Sequence, residues 1–547
     1  MKKQNFTYYK VTKFNNFKEM LDIAVKEAGD KIAFKYKEGK DEIVEVTYSQ
    51  FQQQTEWLGA ALTEMGFADK HIACIGKNSY KWVLTYLTVL KSSGVYVPVD
   101  NELTSGDILH VLNDSECSVV FYTQKHEELF MTNTDKLPNV KLFIGFDRTE
   151  DNGNFLSFDK LIEYGKKCDV EKYRALESDP HALKMLVYTS GTTGSSKGVM
   201  LSEHNLVSSV YYGLQVSTVY DTCLSVLPYH HTYEAVSGIL VSLHKHSTIC
   251  INDSLTNVMK NLQLYKPSYI YLVPAFVQVM RSKILKNIKE SGKEKAFNIL
   301  LAVSNALRKI GIDLRKVFFK SIHDAFGGRL RKIVCGGAPI RPEIGKFFED
   351  IGISLINGYG ITECSPLVSA NHDMFNDYHT AGIKLPCIDL RIDNPNEEGI
   401  GEICVKGDVV MLGYYKQPEK TAEVMKDGWF YTGDYGYIND KGQLVITGRK
   451  KNIIVLNNGK NIYPEEIESI IQEIDYINEV VVRGLFDENG DQKSLMAEVF
   501  LSEEKTPDEV LKDIRKVTAD LPVYKQITKV VIRSEEFEKT TSKKIKR

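Results

Sequence analysis

Short apolar runs rich in β-branched residues alternate with longer helical patterns through about the first four-fifths of this 547-residue chain. Such runs precede helical patterns at His71–Ile75, Met185–Tyr188 and Ser268–Leu272, and Lys332–Cys335 continues the series. Because a fully apolar run followed by a helix is typical of βαβ units, the pattern predicts an α/β fold. We expect parallel-rich sheets flanked by helices.

The rhythm changes after about residue 450, where shorter strands and helices form a compact α+β pattern. Residues 388–447 just before it are rich in glycine and short alternating strands, which predicts a small β subdomain. We therefore predict a large N-terminal domain over residues 1–450 and a small, mobile C-terminal domain over residues 451–547.

The composition excludes several classes of protein. No stretch reaches the ~20 apolar residues of a membrane span, and the first residues lack the apolar core of a signal peptide. We expect a cytoplasmic protein. The nine cysteines contain no C-x-x-C pair, which favours reduced, buried thiols over disulfides or a zinc site. Cys364 follows Glu363 directly, but no base is assigned to it, so a catalytic thiol is not predicted.

Positive charge is concentrated in residues 281–332. The net charge of the chain is −3, whereas this segment has fourteen Lys and Arg against four acidic residues, a local balance of +10. Ile299, Val303, Leu307 and Ile310 recur there at helical spacing, which predicts a basic amphipathic helix with this stripe buried. The alternative is a landing surface for an anionic membrane, a phosphorylated cofactor or an acidic carrier protein. Nucleic acid is not an expected partner.

A hydroxyl- and glycine-rich loop at residues 188–198 and a lysine-dense terminus at residues 539–547 are both suited to hold phosphate. The loop is expected to follow a strand and precede a helix, with Lys197 supplying charge. It is not a Walker A loop, because Ser196 precedes the lysine and Gly198 follows it. Taken alone, a flexible surface turn explains the loop equally well.

A second motif, residues 357–363, follows the predicted strand Ile353–Ile356, at the end of a strand where open α/β sheets bind ligands. Glu363 offers a hard oxygen ligand for Mg²⁺, and Thr362 offers a hydroxyl to phosphate. Standing alone, this motif would be better explained as a turn with a solvated Glu. Ser254 resembles a carrier-domain serine, but its position before a helix predicts a cap.

Five segments together resemble the core motifs of the adenylate-forming superfamily, which includes acyl-CoA synthetases, peptide-synthetase adenylation domains and luciferases. They are residues 188–198, 357–363, 431–434, 448–451 and 539–547. The resemblance extends from about residue 45 to Arg547 and is strongest to long-chain fatty acyl-CoA synthetases.

The resemblance implies roles for individual residues. The implied binding residues for the β- and γ-phosphates are Thr189, Ser190, Gly191, Thr192, Thr193, Gly194 and Lys197. The implied contacts of the nucleotide base are Gly336, Gly337 and Ala338, with Tyr359 as the stacking ring, in an ATP site that also contains Asn357, Gly358, Gly360 and Thr362. Asp434 and Arg449 are implied to hold the ribose, Thr189 and Glu363 to assist Mg²⁺, and His231 to lie beside the acyl carboxylate. A packed histidine is an equally good explanation of His231.

At the C-terminus, Lys544 occupies the position of the family's catalytic lysine. Glu538 and Lys543 replace the usual proline and glycine, so Lys543 is a second candidate for that role. An ordinary disordered basic tail is the alternative. Lys451 occupies the family's hinge position, and Gly459 the position that lines the pantetheine tunnel.

The implied function is an AMP-forming ligase that joins a medium- to long-chain fatty acid to CoA, using ATP and Mg²⁺. Two alternatives stay open: transfer of the acyl group to an acyl carrier protein, and a catalytically silent nucleotide-binding scaffold. If the basic segment 281–332 binds an anionic membrane, we expect the protein to associate peripherally with that membrane.

Overall fold

A computed structural model of the chain describes residues 6–39, 42–189, 196–456, 461–486, 492–539 and 545–547. The chain forms two compact units. Leaving aside the first two residues of the chain, the larger unit comprises residues 3–389 and 406–428. The smaller unit comprises residues 390–405 and 429–547. Strands Trp429–Ile438 and Leu444–Arg449 of the predicted subdomain thus cluster with the C-terminal residues, whereas Gly413–Tyr414 and Met425–Lys426 belong to the larger unit. The functional boundary near Lys451 stays a prediction.

The strands are numbered in chain order. Strands β1 to β14 are Ile32–Glu38, Glu42–Thr47, His71–Ile75, Val95–Val99, Val119–Tyr122, Leu142–Gly145, Phe155–Ser157, Leu183–Thr189, Lys197–Ser202, Thr222–Ser225, Thr248–Ile251, Tyr269–Leu272, Lys332–Cys335 and Ser354–Gly360. Strands β15 to β27 are Leu367–Ala370, Ile383–Lys384, Ile388–Asp393, Gly401–Gly407, Gly413–Tyr414, Met425–Lys426, Trp429–Ile438, Leu444–Arg449, Ile454–Val455, Asn461–Ile462, Ile477–Phe486, Gln492–Leu501 and Ile527–Ile532.

The α-helices are numbered in the same way. Helices α1 to α9 are Phe17–Ala28, Tyr48–Glu64, Tyr80–Leu90, Ser105–Asp114, Glu127–Thr132, Phe158–Gly165, Val170–Arg174, Glu203–Val216 and Val241–His244. Helices α10 to α18 are Val258–Tyr265, Pro274–Glu290, Glu294–Lys309, Arg315–Phe318, Lys320–Ala325, Pro342–Asp350, Pro418–Val424, Pro464–Ile471 and Pro507–Val517. A π-helical segment, Tyr233–Leu240, precedes α9.

The larger unit contains two parallel-rich sheets. In the nine-stranded sheet, β1, β11, β10, β12, β13 and β14 lie side by side and parallel. Its edges are antiparallel, with β2 on one side and β15 and β16 on the other. In the eight-stranded sheet, β8, β4, β3, β5, β6 and β7 are parallel, and β9 and β19 extend it antiparallel.

Several strands of these sheets are buried on both faces, which explains the apolar sequences of β5 and β12. Every residue of β5, β10 and β12 is buried. Helix α8 contacts β8 and β9 of one sheet and β15 of the other, so it lies between the two sheets. The predicted α/β class is confirmed, and the predicted strands His71–Ile75 and Lys332–Cys335 have the observed bounds.

The smaller unit is built from antiparallel hairpins and one α+β layer. Strand β21 pairs with β18 on one side and β22 on the other. Farther along the chain, β26 lies between β25, which is antiparallel to it, and β27, which is parallel. Helices α17 and α18 pack on this layer, and Ile467, Val480 and Ile514 lie in the shared core.

Two sequence predictions are wrong at the level of local structure. The loop after Thr189 leads into strand β9, not directly into a helix, and α8 begins only at Glu203. The stripe predicted to be buried in α12 is largely exposed: Ile299, Val303 and Ile310 all face solvent. Helix α12 has apolar residues on two faces, and periodicity alone does not tell which of them packs inward.

Two smaller expectations are met. Ser254 is a cap, because its side chain accepts a hydrogen bond from the Thr256 backbone N–H. All nine cysteines are free thiols and most are buried. Among the described residues, no helix combines the length and the apolar character that crossing a membrane requires.

Candidate functional site

The loop predicted to hold phosphate is bounded by a pair of antiparallel strands. Thr189 ends β8, Lys197 begins β9, and the two residues face each other in register. Residues 190–194 lie outside the described residues, so the roles expected of Ser190, Gly191, Thr192, Thr193 and Gly194 stay predictions. The hairpin thus places Thr189 and Lys197 opposite each other on neighbouring strands of one sheet.

Lys197 and Glu363 meet at the ring of Tyr414. The Lys197 ammonium lies 4.9 Å from the centre of that ring. The Tyr414 hydroxyl donates a hydrogen bond of 3.0 Å to Glu363 Oε1. Tyr414 is buried, whereas Lys197 and Glu363 are partly exposed. A cation, an aromatic ring and a carboxylate from three distant segments thus form one cluster, which we call the lysine–tyrosine–glutamate cluster.

Backbone hydrogen bonds fix Tyr414 in this position. Its strand β19 pairs with β9, with Tyr414 opposite Val199. The Tyr415 N–H donates to the Gly198 carbonyl at 2.7 Å, and the Met411 N–H donates to the Glu363 carbonyl at 2.9 Å. The segment around Tyr414 is therefore hydrogen-bonded both to the strand of Lys197 and to Glu363 itself.

The cap of helix α8 holds the same segment. Ser202 and Asn205 form a capping box, in which each side chain accepts a hydrogen bond from the other residue's backbone N–H. The Asn205 amide then donates to the carbonyls of Asp408 and Val410, at 2.8 and 3.0 Å. The start of α8 thus anchors the segment that leads into β19 and Tyr414.

The motif at residues 357–360 continues β14 past its parallel neighbour. Cys335 pairs with Asn357, and beyond it Gly358, Tyr359 and Gly360 pair antiparallel with β15. Any side chain at Gly360 would collide with the backbone, since a Cβ there would lie 2.3 Å from the Pro366 carbonyl oxygen. These glycines are thus needed for close strand approach, whatever else they do.

The Asn357 side chain is engaged within the protein. Its amide donates to the Thr380 carbonyl at 2.7 Å, and its Oδ1 accepts from the Asn371 amide at 2.7 Å. Thr362 and Glu363 follow in a single turn of 3₁₀ helix. The strand end therefore places Tyr359, Thr362 and Glu363 within one short segment.

The turn expected to contact the nucleotide base follows β13. Gly336 lies against the ring of Tyr233, where a Cβ would be 3.1 Å from the nearest ring carbon. Gly337 has φ of +85°, a conformation that glycine adopts without strain. Gly337 and Ala338 are exposed, so this turn has backbone accessible to a ligand.

His231 lies in a turn that leads into the π-helical segment. Its carbonyl accepts hydrogen bonds from the N–H groups of Glu234 and Ala235. Its ring lies 4.2 Å, centre to centre, from the ring of His230. The histidine pair is thus positioned by a helix start.

Glu234 is fully buried beside this turn. Its carboxylate accepts a hydrogen bond from the Ser225 hydroxyl. Burial raises the pKa of Glu234 to about 8, and the hydrogen bonds from Ser225 and the Leu227 backbone oppose that rise. Gly238 makes room for the acid, since a Cβ at Gly238 would lie 2.7 Å from the carboxyl carbon. A neutral carboxylic acid is therefore expected here at neutral pH.

In the smaller unit, Asp434 and Arg449 are cross-strand neighbours on β21 and β22. Arg449 Nε lies 2.7 Å from Asp434 Oδ1. Asp434 is buried, with its backbone N–H donating to Thr432 Oγ1 at 3.0 Å. Gly433 takes φ of +71° between them. The structure thus brings together the two residues predicted to hold the ribose.

Lys451 lies just beyond this pair, in a turn of 3₁₀ helix. Partial burial lowers its pKa, and the positive charges of Arg449 and Arg547 lower it further. Arg547 forms an ion pair with Glu468 of α17. Lys539 pairs with Ile545 across the terminal segment, so the described part of the tail is anchored. Lys543, Lys544 and Gly459 lie outside the described residues.

The residues around Glu363 suit a magnesium ion bound to nucleotide. Within the described ranges, no group of three or more acidic, histidine or cysteine side chains could enclose a metal. Mg²⁺ in nucleotide enzymes commonly takes one or two carboxylates and completes its shell with phosphate oxygens and waters. The Glu363 carboxylate, oriented by Tyr414, and the Thr189 hydroxyl fit that donor set.

Tyr414 is the residue that sequence reasoning missed. It has no motif of its own, and its contacts with Lys197 and Glu363 depend on the pairing of β19 with β9. Glu234 was also overlooked, although a lone acid within an apolar run after a His-His pair is a usable signal of a buried carboxyl.

Comparison with known proteins shows the family. Residues 21–415 match the family described as AMP-binding enzyme. Long-chain-fatty-acid–CoA ligase 5 of Rattus norvegicus is 30% identical over 485 residues, covering 80% of this chain and 69% of that protein. Long-chain-fatty-acid–CoA ligase 1 of Homo sapiens is 29% identical over 480 residues, covering 80% of this chain and 67% of that protein.

Solved structures show the same fold. ATP-bound MatB from Rhodopseudomonas palustris has a TM-score of 0.75 at 21% identity, covering 97% of both chains. A fatty acyl CoA synthetase of Mycobacterium tuberculosis has a TM-score of 0.66 at 22% identity, covering 97% of this chain and 96% of that chain. The fold is that of adenylate-forming enzymes, and the chain belongs to the AMP-binding enzyme family.

Proposed function

We propose that this protein is an AMP-forming ligase that activates a medium- to long-chain fatty acid with ATP and transfers the acyl group to CoA. The observation that carries the proposal is the lysine–tyrosine–glutamate cluster. It unites two motifs that the family's chemistry requires at one nucleotide. Family membership over residues 21–415 and the fatty-acid ligases among the relatives support the same conclusion.

In the first half-reaction, a carboxylate oxygen of the acid attacks the α-phosphorus of ATP. The bond to the β-phosphate oxygen breaks, and pyrophosphate leaves with its electron pair, giving an acyl adenylate. Attack by a carboxylate needs positioning and stabilisation of negative charge more than covalent help from the protein. Lys197 is proposed to stabilise charge on the leaving phosphates, and Lys544 charge at the α-phosphate.

Glu363 and Thr189 would hold Mg²⁺, which would neutralise charge on the phosphate oxygens when bound. The Tyr414 hydroxyl holds one oxygen of Glu363, which leaves the other oxygen for a ligand. This hydrogen bond fixes the carboxylate orientation before nucleotide arrives.

The remaining nucleotide contacts are proposals of the same kind. Asp434 would accept hydrogen bonds from the ribose hydroxyls, with Arg449 as its partner. The backbone of Gly336, Gly337 and Ala338 would contact the base, and Tyr359 would stack on it. The other residues proposed to line this part of the site are Asn357, Gly358, Gly360 and Thr362.

In the second half-reaction, the thiolate of CoA attacks the acyl carbonyl carbon, and AMP leaves with the electron pair of the broken anhydride bond. Gly459 is proposed to line the path of the pantetheine arm, and Lys451 to serve as the hinge between the half-reactions. His231 is proposed to contact the acyl carboxylate.

A pyrophosphate-release screen tests the proposal. Carboxylic acids from acetate to long-chain and aromatic acids are supplied with ATP and Mg²⁺, with and without CoA. We expect release to be greatest with medium- to long-chain fatty acids and a thioester to form only when CoA is present. Release that no acid stimulates would contradict the proposal and favour a silent nucleotide-binding protein. Thioester formed on an acyl carrier protein, but not on CoA, would instead identify the alternative acceptor.

A further inference from the structure

The outward face of helix α12 is apolar. Ile299 is 63% exposed and Val303 43% exposed, and Ile310, just after the helix, is 70% exposed. Ala302 and Ala306 between them are also exposed. Residues three, four and seven apart share one face of a helix, so these five form one continuous apolar stripe. We call it the outer α12 face.

The opposite side of α12 already supplies the core. Phe297 is buried, Leu300 and Leu301 pack against the same core, and Ser304 is buried. Arg308 pairs with Glu349 of α15 at 2.9 Å. The fold of this unit is thus completed without the outer α12 face, and a helix face this apolar is unusual where it meets only water.

Lys295 and Lys309 are exposed on α12, and its neighbours α11 and α13 have further exposed lysines. Val317 of α13 is exposed as well. Within the described part of the chain, these lysines form no ion pair: Lys283, Lys289, Lys293, Lys295, Lys309 and Lys316. Glu290 and Glu294 lie beside some of these lysines in the sequence, and Glu290 pairs with Lys286, but the lysines outnumber the nearby acids and give this surface a net positive charge.

We propose that the outer α12 face and its lysines dock this protein on an anionic lipid membrane. Exposed aliphatic side chains would enter the boundary between headgroups and acyl chains, and the lysines would meet the lipid phosphates. Exposed aliphatic side chains together with nearby lysines are typical of helices that lie in the plane of a membrane interface. The location also suits an enzyme whose proposed substrate dissolves in lipid, although the inference does not depend on that substrate.

Charge argues against two other occupants. A second copy of this chain docked through the same face would bring the lysines of both copies together, which is unfavourable. An acidic carrier protein would match the lysines, but it would leave unexplained the exposed aliphatic side chains of Ile299 and Ile310, which are 63% and 70% exposed.

Co-sedimentation of the full-length protein with vesicles tests the inference, without ATP or any acid. One set of vesicles is pure phosphatidylcholine, and the other contains phosphatidylglycerol in addition. We expect binding to the anionic vesicles at least about ten-fold tighter, and weaker at high salt. Equal binding to both sets, or none, overturns the proposal. Because no substrate is present, this result is independent of the proposed enzyme activity.

Matched variants locate the surface. I299D/V303D should lose about ten-fold or more in binding, and K283E/K289E/K309E roughly a hundred-fold. Controls with the same kind of change elsewhere are V523D, at a 90% exposed valine, and K512E/K516E/K529E, at exposed lysines on α18 and β27. The controls should bind like the unaltered protein.

Two results would overturn the assignment: wild-type binding by the α12 variants, or an equal loss in the controls. Analytical ultracentrifugation and carrier-protein binding complete the test, since loss of an oligomer or of carrier binding alone would assign the face to that partner. All substituted side chains are exposed, and an unchanged thermal midpoint will show that the variants are folded.

Discussion

The lysine–tyrosine–glutamate cluster and the Asp434–Arg449 pair place charge in two different ways. The first joins residues from β9, β19 and the turn after β14, so it exists only when distant segments have paired. The second joins facing residues of one hairpin. In the hairpin, the acid already has its cation at 2.7 Å, whereas in the cluster an aromatic ring separates the ammonium from the carboxylate.

This difference in charge separation implies that the two sites bind ligands in different ways. In our proposal the separated charges of the cluster bind different groups, Lys197 the phosphates and Glu363 the metal, and Tyr414 contacts both side chains. The hairpin pair is neutral overall, so Asp434 can lie buried without a ligand. We therefore expect changes in the cluster to affect catalysis most, and changes in the hairpin to affect stability as well.

The largest effect is expected from loss of either charge in the cluster. Lys197→Ala and Glu363→Ala should each lower fatty-acid-dependent pyrophosphate release about a thousand-fold, because charge on the leaving phosphates is no longer stabilised. Lys416→Ala is the control, since that exposed lysine lies near the same strand but contacts Glu116 and the Asp114 carbonyl. Comparable losses in all three variants would contradict the assignment.

The next effect separates the two half-reactions. Gly459→Leu should lower thioester formation about a hundred-fold or more, because a side chain would obstruct the pantetheine path, while pyrophosphate release stays largely intact. The two products are measured in the same reaction. Equal loss of both would refute the role of Gly459 and leave the cluster as the only supported part of the mechanism.

The smaller catalytic effect tests Tyr414 itself. Tyr414→Phe keeps the ring below Lys197 but removes the hydroxyl that holds Glu363, so pyrophosphate release should fall about ten-fold. Tyr415→Phe is a matched control, because the neighbouring hydroxyl donates to Glu116 at 2.8 Å instead. If both variants behave like the unaltered protein, Tyr414 does not orient the metal ligand.

These assignments show what the sequence could and could not provide. Strand β13 could be located from the sequence because a short, largely buried run within a strand–helix alternation favours a buried strand over a helix. The pairing of β9 with β19 could not, because it depends on contacts far apart in the chain. Tyr414 was missed for the same reason.

The direction in which side chains point was the other property that the sequence did not determine. The motif residues Asp434 and Arg449 were recognised by type, and their pairing follows from the hairpin register. In α12 the helical period was right but the buried face was wrong, because Phe297, Leu300 and Leu301 compete with Ile299 and Val303 for the core. Only the position of α15 and its neighbours decides between the two faces.

The hairpin pair is tested by stability. Arg449→Ala leaves the buried Asp434 without its cation, and we expect a loss of about 1–2 kcal/mol in the free energy of unfolding, discounted because the arginine is partly exposed. Arg483→Ala, which removes the partner of the less buried Glu498, should cost about 0.5 kcal/mol or less. Urea denaturation measures both. Equal costs would show that burial of Asp434 does not matter.

Glu234 is a second buried acid to compare with Asp434. Its charge is removed by protonation, whereas that of Asp434 is balanced by Arg449. Its pKa of about 8 lies above that of an unfolded Glu, so the folded state retains the proton that the unfolded state releases. Stability should therefore fall as pH rises from about 4.5 to 8, by about 2.5 kcal/mol between pH 5 and 7. Glu234→Gln should lack this decline. The test is the difference between the two unfolding profiles; parallel profiles would mean that Glu234 is ionised.

The central claim is that an oxygen of the acid becomes bonded to the α-phosphorus of ATP. A fatty acid labelled with ¹⁸O in its carboxyl group, incubated with the protein, ATP, Mg²⁺ and CoA, tests this directly by mass spectrometry of the nucleotide product. The account predicts AMP with one ¹⁸O atom in its phosphate, together with unlabelled pyrophosphate. Unlabelled AMP, or ADP as the product, would contradict it.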